Sequence, residues 1–462
     1  MNMRDILNRL VDRSTADHVE FRYHRRDQKR IEMVKGDSEE VHSSTYGGVG
    51  VRVLVDGAWG FSSTNRTDEK ELTDTLRIAE GAARLSARNK KEKVVLEDDL
   101  SPVRGTFSAK VNDSVTGYSI EDKVKLLIGL DREMMSHPDI VSTRCLWNEL
   151  QDEKVIVNGT GTDVRILDEK VEFYAIAYAD LRGEKVVGME SRGVTGGWKD
   201  LFSRKSPGEM AQDAVKTATQ LLKAKHPKGG NATVILNPEL VGLISHEAIG
   251  HTVEADFVLS GSVAQGKIGQ RVASELVTMV DHGNASPHAA GWTPVDDEGT
   301  PSQRTEVIKD GILKEYLCDR ETASLLGMTP KGNARAYEYS DPPIIRMTNT
   351  FIEPGDHRLE ELIEETRDGY YLQGAMGGQA DANAEFTFGV EKAWRVVNGE
   401  LTELLRGVSI SGSGFEVLKS VDAVTDDFEF QMGSGYCGKF QMAKVDGGGP
   451  HLRCEATIGG KQ

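Results

Sequence analysis

Apolar positions recur along this chain in two rhythms, a helical spacing of three and four and a strand-like alternation of two. The first ninety residues carry both. A short amphipathic helix is predicted near Met3–Val11, followed by strand-like runs over 19–33 and 41–55. Asp56-Gly57, between VRVLV and AWGFSST, is a hairpin signal. A helix is then predicted from about Asp68 to Ala87, with Leu72, Leu76, Ala79 and Ala83 on one face. The charged stretch NKKEKVVLEDDLSPVRG, 89–105, breaks the pattern and reads as a linker.

A second mixed block follows. Ser119 is placed to cap a helix from Ile120, with Asp122 in its first turn and Val124, Leu127 and Leu130 apolar. Strands are predicted at 139–150, 153–158, 163–180 and 185–194, with Asn158-Gly159 as a turn. Ser206-Pro207-Gly208-Glu209 is a capping box with proline at the first helical position. Its helix lines up Ala211, Ala214, Val215, Ala218 and Leu222. His226-Pro227-Lys228-Gly229-Gly230 marks a boundary, after which come a short strand, Thr233–Leu236, and a helix opened by Asn237-Pro238. The remainder is rich in β patterns and glycine, with hairpin signals at Asp310-Gly311 and Asn398-Gly399 and one helix near Leu359–Glu365. The expected class is therefore α+β: α+β regions over 1–90 and 105–225, then a β-rich region over 231–462.

Composition narrows the function classes. At 462 residues the chain is long enough for two or three domains. Its formal net charge of −17 argues against bulk neutralisation of a nucleic-acid backbone. No apolar run is long enough to span a membrane, and the charged N-terminus lacks an apolar leader core, so a cytoplasmic location is expected. Cys145, Cys318, Cys437 and Cys454 are too scattered for a small disulfide framework.

Candidate chemistry begins at SHEAIGHTVEAD, Ser245–Asp256, on the helix after Asn237. It resembles the H-E-x-x-H metal motif with one residue added. His246 and His251 can be ligands, and Glu247 can take a proton from water and pass it to a leaving amine. On a regular helix, residues five apart diverge by roughly 140°, so the rings would point apart. A π-bulge would bring them to one face, and Gly250 would ease it. The alternative is that His246 faces the core and His251 merely ends the helix near its negative pole. Glu254 could be a third ligand or a carboxylate behind the ligands.

The stretch GSGYCGKF, Gly433–Phe440, comes close to a nucleotide-binding loop. However, Phe440 stands where a magnesium-holding hydroxyl is needed, and the residues after it read as strand and turn. Nucleotide binding is rejected on those grounds. The same segment places Cys437 two residues before Lys439, and a thiolate is a good zinc ligand.

Taken together, GGVGVRVLVDGAWGFSST, HEAIGHTVEADF, VASELVTMVDHG, DDEGTP, DGILKEYL, GMTPKGNARA, RMTNTFIEPGD, GGQAD, CGKFQ and GGGP resemble, in order, the TldD/PmbA family, in particular its TldD-type members. The resemblance implies a three-part chain with zinc in the last part. The zinc would be held by His246, His251 and Cys437, with Glu247 as base; with that set complete, Glu254 is expected behind the ligands. It further implies cleavage of short or unfolded peptides, in roles such as maturing a peptide antibiotic or removing an antitoxin. The working unit would be a dimer with a TldE/PmbA-type subunit or with a second copy. The competing expectation is a catalytically silent peptide-binding subunit. An oxyanion could be met by backbone N–H groups near Gly377-Gly378 or Gly447–Gly449, and a peptide could add along a sheet edge.

Overall fold

The computed structural model describes residues 3–96, 101–181 and 183–460. Helix α1 (Met3–Arg13) precedes a meander of β1 (His18–Val34), β2 (Asp37–Val55) and β3 (Ala58–Thr64). The β2–β3 turn places Asp56 and Gly57 at φ +48° and +73°, the left-handed pair that suits the twist of a tight hairpin. Helix α2 (Glu69–Ala87) is capped by Asp68, which accepts from the Glu71 N–H, and packs Leu72, Leu76, Ala79 and Ala83 inward. Gly60 is required beneath it, because a Cβ there would meet the Ala79 carbonyl oxygen at 2.1 Å. Part of the predicted linker, 97–100, lies outside the described residues.

Beyond β4 (Arg104–Ser108), helix α3 (Ile120–Met135) carries the Ser119–Asp122 capping box. It is followed by β5 (Ile140–Asn158), β6 (Asp163–Leu181), β7 (Glu184–Thr195), the short α4 (Trp198–Leu201) and α5 (Pro207–Leu221). Residues 139–158 were expected to form two strands and instead form one. The polar run Gln151–Lys154 looks like a turn, but Asp152 pairs with Arg26 and Lys154 with Asp297, so the strand continues through a polar layer. Strands β1–β7 make one seven-stranded sheet in the order β3-β2-β1-β5-β6-β4, with β7 also on β6.

One face of β1 explains how the last region docks. Glu20, Arg22, His24 and Arg26 alternate along the strand and are all buried. Arg22 donates to the Glu338 carbonyl at 2.8 Å, Lys154 to Asp297 at 2.9 Å, and Asn158 to the Glu298 carbonyl at 3.0 Å. Arg52 pairs with Glu298. The DDEG segment, Asp296–Gly299, is thus an acidic plug in a basic sheet face.

The β-rich region is built on a second seven-stranded sheet. In it β8 (Gly230–Leu236) lies between strand Asp368–Ala380, parallel to it, and strand Leu452–Gly459, antiparallel. A six-stranded sheet packs alongside and includes Asn349–Ile352 and Asp446–Gly449 as parallel neighbours. Helix α6 (Pro238–Leu243), capped by Asn237, lies across these strands so closely that a Cβ at Gly242 would meet the Gly448 N at 2.5 Å.

Candidate metal centre

The helix that carries the histidines changes pitch between them, as the five-residue spacing demands of a shared metal site. After α6 the chain forms a π-helix over Ile244–Gly250 and a 3-10 turn over His251–Val253. The His251 N–H donates to the His246 carbonyl, the five-residue bond of a π turn. This pitch brings the two imidazoles to one face, with ring centroids 5.3 Å apart and planes at 82°. Gly250 has ordinary helical dihedrals, φ −53° and ψ −49°. Its need is steric: a Cβ there would sit 2.0 Å from the Met347 sulfur, which is fully buried.

Cys437 reaches the histidines from a two-stranded hairpin, Tyr436–Lys439 with Gln441–Lys444. The Cys437 Sγ lies 3.2 Å from His251 Nε2, and ligand atoms of His246, His251 and Cys437 all fall within 4.8 Å of one another. His246 is buried, and among the described residues neither of its ring nitrogens has a hydrogen-bond partner. A buried imidazole with no partner is costly unless something else uses its lone pair. Two imidazoles and a thiol at this separation are the donor set of a catalytic zinc site with one position left open. The residues present therefore fit a zinc ion.

Electrostatics follow from the same proximity. Burial alone would raise the Cys437 thiol, but the charges of His246 and the bond from His251 lower it to about 4. Burial alone would lower His251, yet the bonds to Cys437 and Glu254 raise it to about 10. In the metal-free chain these contacts favour the thiolate of Cys437 and the protonated form of His251. The other three thiols are buried and pushed up, Cys318 to about 12.

Glu247 stands apart from the three donors. Its carboxylate is 29% exposed and 3.8 Å from His251 Nε2, on the wall of a cleft of about 340 Å³ that His251, Phe257, Lys439 and Phe440 also line. Glu254 points the other way. It is fully buried and hydrogen-bonds His251 Nδ1 and the Lys439 ammonium, so it lies behind the imidazole.

Several residues here carried no sequence expectation. Arg346 donates to the Cys437 and Gln441 carbonyls, both at 2.6 Å, and so clamps both strands of the hairpin. Arg335 bridges the Met347 and Lys444 carbonyls at 2.7 and 2.6 Å. Asp281 accepts from Asn333, Thr348 and Thr350, fixing the floor beneath them. Their only signal was membership of RMTNTF, KGNARA and VASELVTMVDHG, respectively. The glycines offered for an oxyanion fall elsewhere. Gly447–Gly449 are buried in a sheet strand that runs between the strands Asn349–Ile352 and Glu429–Phe430. Gly377-Gly378 lie in a bulge opposite Val390–Phe388, and neither lines the cleft. After Gly433–Phe440 the chain runs as a strand, Gln441–Lys444, rather than a helix, as expected from its sequence.

This donor set suits a metal-dependent enzyme, and comparison with known proteins supplies the family. Residues 19–83, 113–222 and 229–460 match, in turn, domain 1, the central domain and the C-terminal domain of the PmbA/TldA metallopeptidases. A metalloprotease of Methanocaldococcus jannaschii is 35% identical over 447 residues, covering 96% of this chain and 97% of that one. The zinc metalloprotease TldD homolog of Saccharolobus solfataricus is 30% identical, covering 96% and 97%. The chain belongs to the PmbA/TldD family. Among solved structures, TldE of Thermococcus kodakarensis superposes with a TM-score of 0.77 at 17% identity over 99% of this chain and all of that one. A Thermotoga maritima protein described as a modulator of a DNA gyrase superposes at 0.82 with 20% identity, over 99% and 100%. These two likenesses concern the fold alone. Among the described residues no helix is long and apolar enough to cross a membrane.

Proposed function

We propose that this chain is a zinc metallopeptidase subunit that hydrolyses short or unfolded peptides. In this reading His246, His251 and Cys437 hold the metal and Glu247 is the general base. The observation that carries the reading is the convergence of two imidazoles and a thiol within 4.8 Å beside a cleft that exposes a carboxylate. Zinc bound there supplies Lewis acidity and makes water acidic enough to deprotonate near neutral pH. Glu247, on the cleft wall, takes a proton from the attacking water and returns it to the leaving amine. Glu254 holds the His251 Nδ1 proton, which leaves Nε2 free to act as a ligand. Lys439 is spent on Glu254 and Asp256 and is not a second base.

The curated relatives are named metalloproteases, which favours an active subunit over a silent peptide binder, as does the presence of all four residue types here. We assign three domains, 1–90, 105–225 and 231–462, and a cytoplasmic dimer with a TldE/PmbA-type subunit or a second copy. The net charge of −17 supplies no general nucleic-acid field. A peptide added as an extended strand would gain main-chain bonds with modest sequence preference.

The test is digestion of an unfolded protein and a set of short peptides, with the chain alone and with its co-purified partner. Cleavage that a chelator abolishes and zinc restores is expected. Zinc-loaded protein that cleaves nothing in either form, or cleavage indifferent to the chelator, would contradict the reading.

A further inference from the structure

Phe440 occupies a position that this chain itself does nothing to reward. Lys439 pairs directly with Gln441 across the hairpin, so Phe440 alone turns the chain, at φ +57°. The described non-glycine residues at positive φ are Lys35, Asp56, Asp113, Asp310, Ala384, Asn398 and Phe440, and only the last is aromatic. Short polar side chains tolerate this conformation, whereas a bulky one is strained there. The ring is also 96% exposed, so no burial offsets the strain. Strain held in a rigid frame is a pointer to function. The frame is rigid here, because Arg346 clamps both strands below the tip and the buried Lys439 ammonium donates to Asp256 at 2.8 Å and to the Ile345 carbonyl at 3.0 Å.

The ring also stands at a specific place. It lines the cleft that holds Glu247 and His251, with the Phe257 ring also on the lining and small Ala380 and Ala382 beside it. Aromatic surface at the mouth of a cleft of about 340 Å³ suits an apolar side chain.

We propose that Phe440 is a specificity-determining residue that packs against a large apolar side chain of the bound peptide next to the site of cleavage. The ligand's being a peptide rests on the function proposed above; the preference for an apolar residue rests on Phe440.

The experiment measures calorimetric binding of two peptides that differ only in leucine versus glycine at one position. The protein is the full chain carrying Glu247→Gln, so that nothing is cleaved, with and without Phe440→Asn, since asparagine tolerates positive φ. Expected is a loss of about tenfold or more in affinity for the leucine peptide and little change for the glycine peptide, with recovery in Phe440→Trp. Zinc content and Tm should be unchanged or Tm raised. Equal affinities with and without Phe440→Asn would overturn the proposal, as would no binding of either peptide. Loss of the dimer with peptide affinity intact would overturn it in favour of a subunit contact. Parallel cleavage assays with Glu247 present separate the two claims: Phe440-dependent binding without cleavage defeats the peptidase reading alone, and cleavage without Phe440 dependence defeats this one alone.

Discussion

Glu254 Oε2 accepts a hydrogen bond from His251 Nδ1 at 2.9 Å, and the same oxygen accepts from Lys439 Nζ at 3.1 Å. His251 Nε2 in turn faces Cys437, which shares a strand face with Lys439 two residues on. The four side chains close a ring between the histidine segment and the hairpin. Burial alone would raise the Glu254 carboxyl, but His251 and Lys439 hold it below the usual range, so it stays an acceptor.

Breaking that ring should weaken the metal site without removing a ligand. Glu254→Ala is expected to lower zinc affinity by roughly 10–100-fold, as for other groups that orient a ligating histidine. Competition with a coloured chelator measures it. Unchanged affinity would show that the bond orients nothing.

Glu247→Gln keeps the shape of the cleft and removes the base. Zinc content should be unchanged and kcat should fall by roughly 100-fold or more. A variant with normal turnover would place the base elsewhere.

The metal-free chain should show a thiolate at unusually low pH. Cys437 has its folded pKa lowered to about 4 from an ordinary 9, so the thiolate persists as pH falls and is lost only near pH 4. Thiolate ultraviolet absorbance in chelator-treated protein is the readout. It should be present at neutral pH, disappear on acidification through about 4, and be absent throughout in Cys437→Ser. The three other thiols should contribute nothing at neutral pH, because burial raises each of them.

How far the sequence could be read depended on the range of the interaction. The i,i+5 spacing of His246 and His251 is a local demand, and the π-helix over 244–250 meets it by local means. Capping at Ser119, Asn237 and Ser206 was equally local, as were the left-handed turns at Asp56, Asp310 and Asn398. Cys437 lies 186 residues from His251, and nothing in its own neighbourhood named its partners; only the ordered series of segments tied them together. Arg346 was invisible because it acts through backbone carbonyls, whose positions no side-chain pattern records. Strand β5 was divided in two because Gln151–Lys154 is polar, and polarity reads as solvent until a second region is known to cover it. The same cover explains DDEG, a motif whose charges bind the first sheet.

Gly250 offers a check on packing at the π-helix. An added Cβ would lie 2.0 Å from the Met347 sulfur in a fully buried spot. Gly250→Ala is expected to cost about 1–3 kcal/mol by overpacking, although alanine suits the helical dihedrals. Denaturant unfolding should show the loss shrinking when Met347→Ala is added, because the two side chains compete for one space. Additive losses would mean that the glycine serves something else.

The most direct test of the whole account is metal analysis of protein purified without chelators. About one zinc per chain is expected in the wild type, with little or none in folded His246→Ala and Cys437→Ala. Wild-type protein that carries no zinc even after incubation with the metal, or variants that retain it in full, would contradict the assignment of His246, His251 and Cys437 as a single zinc site.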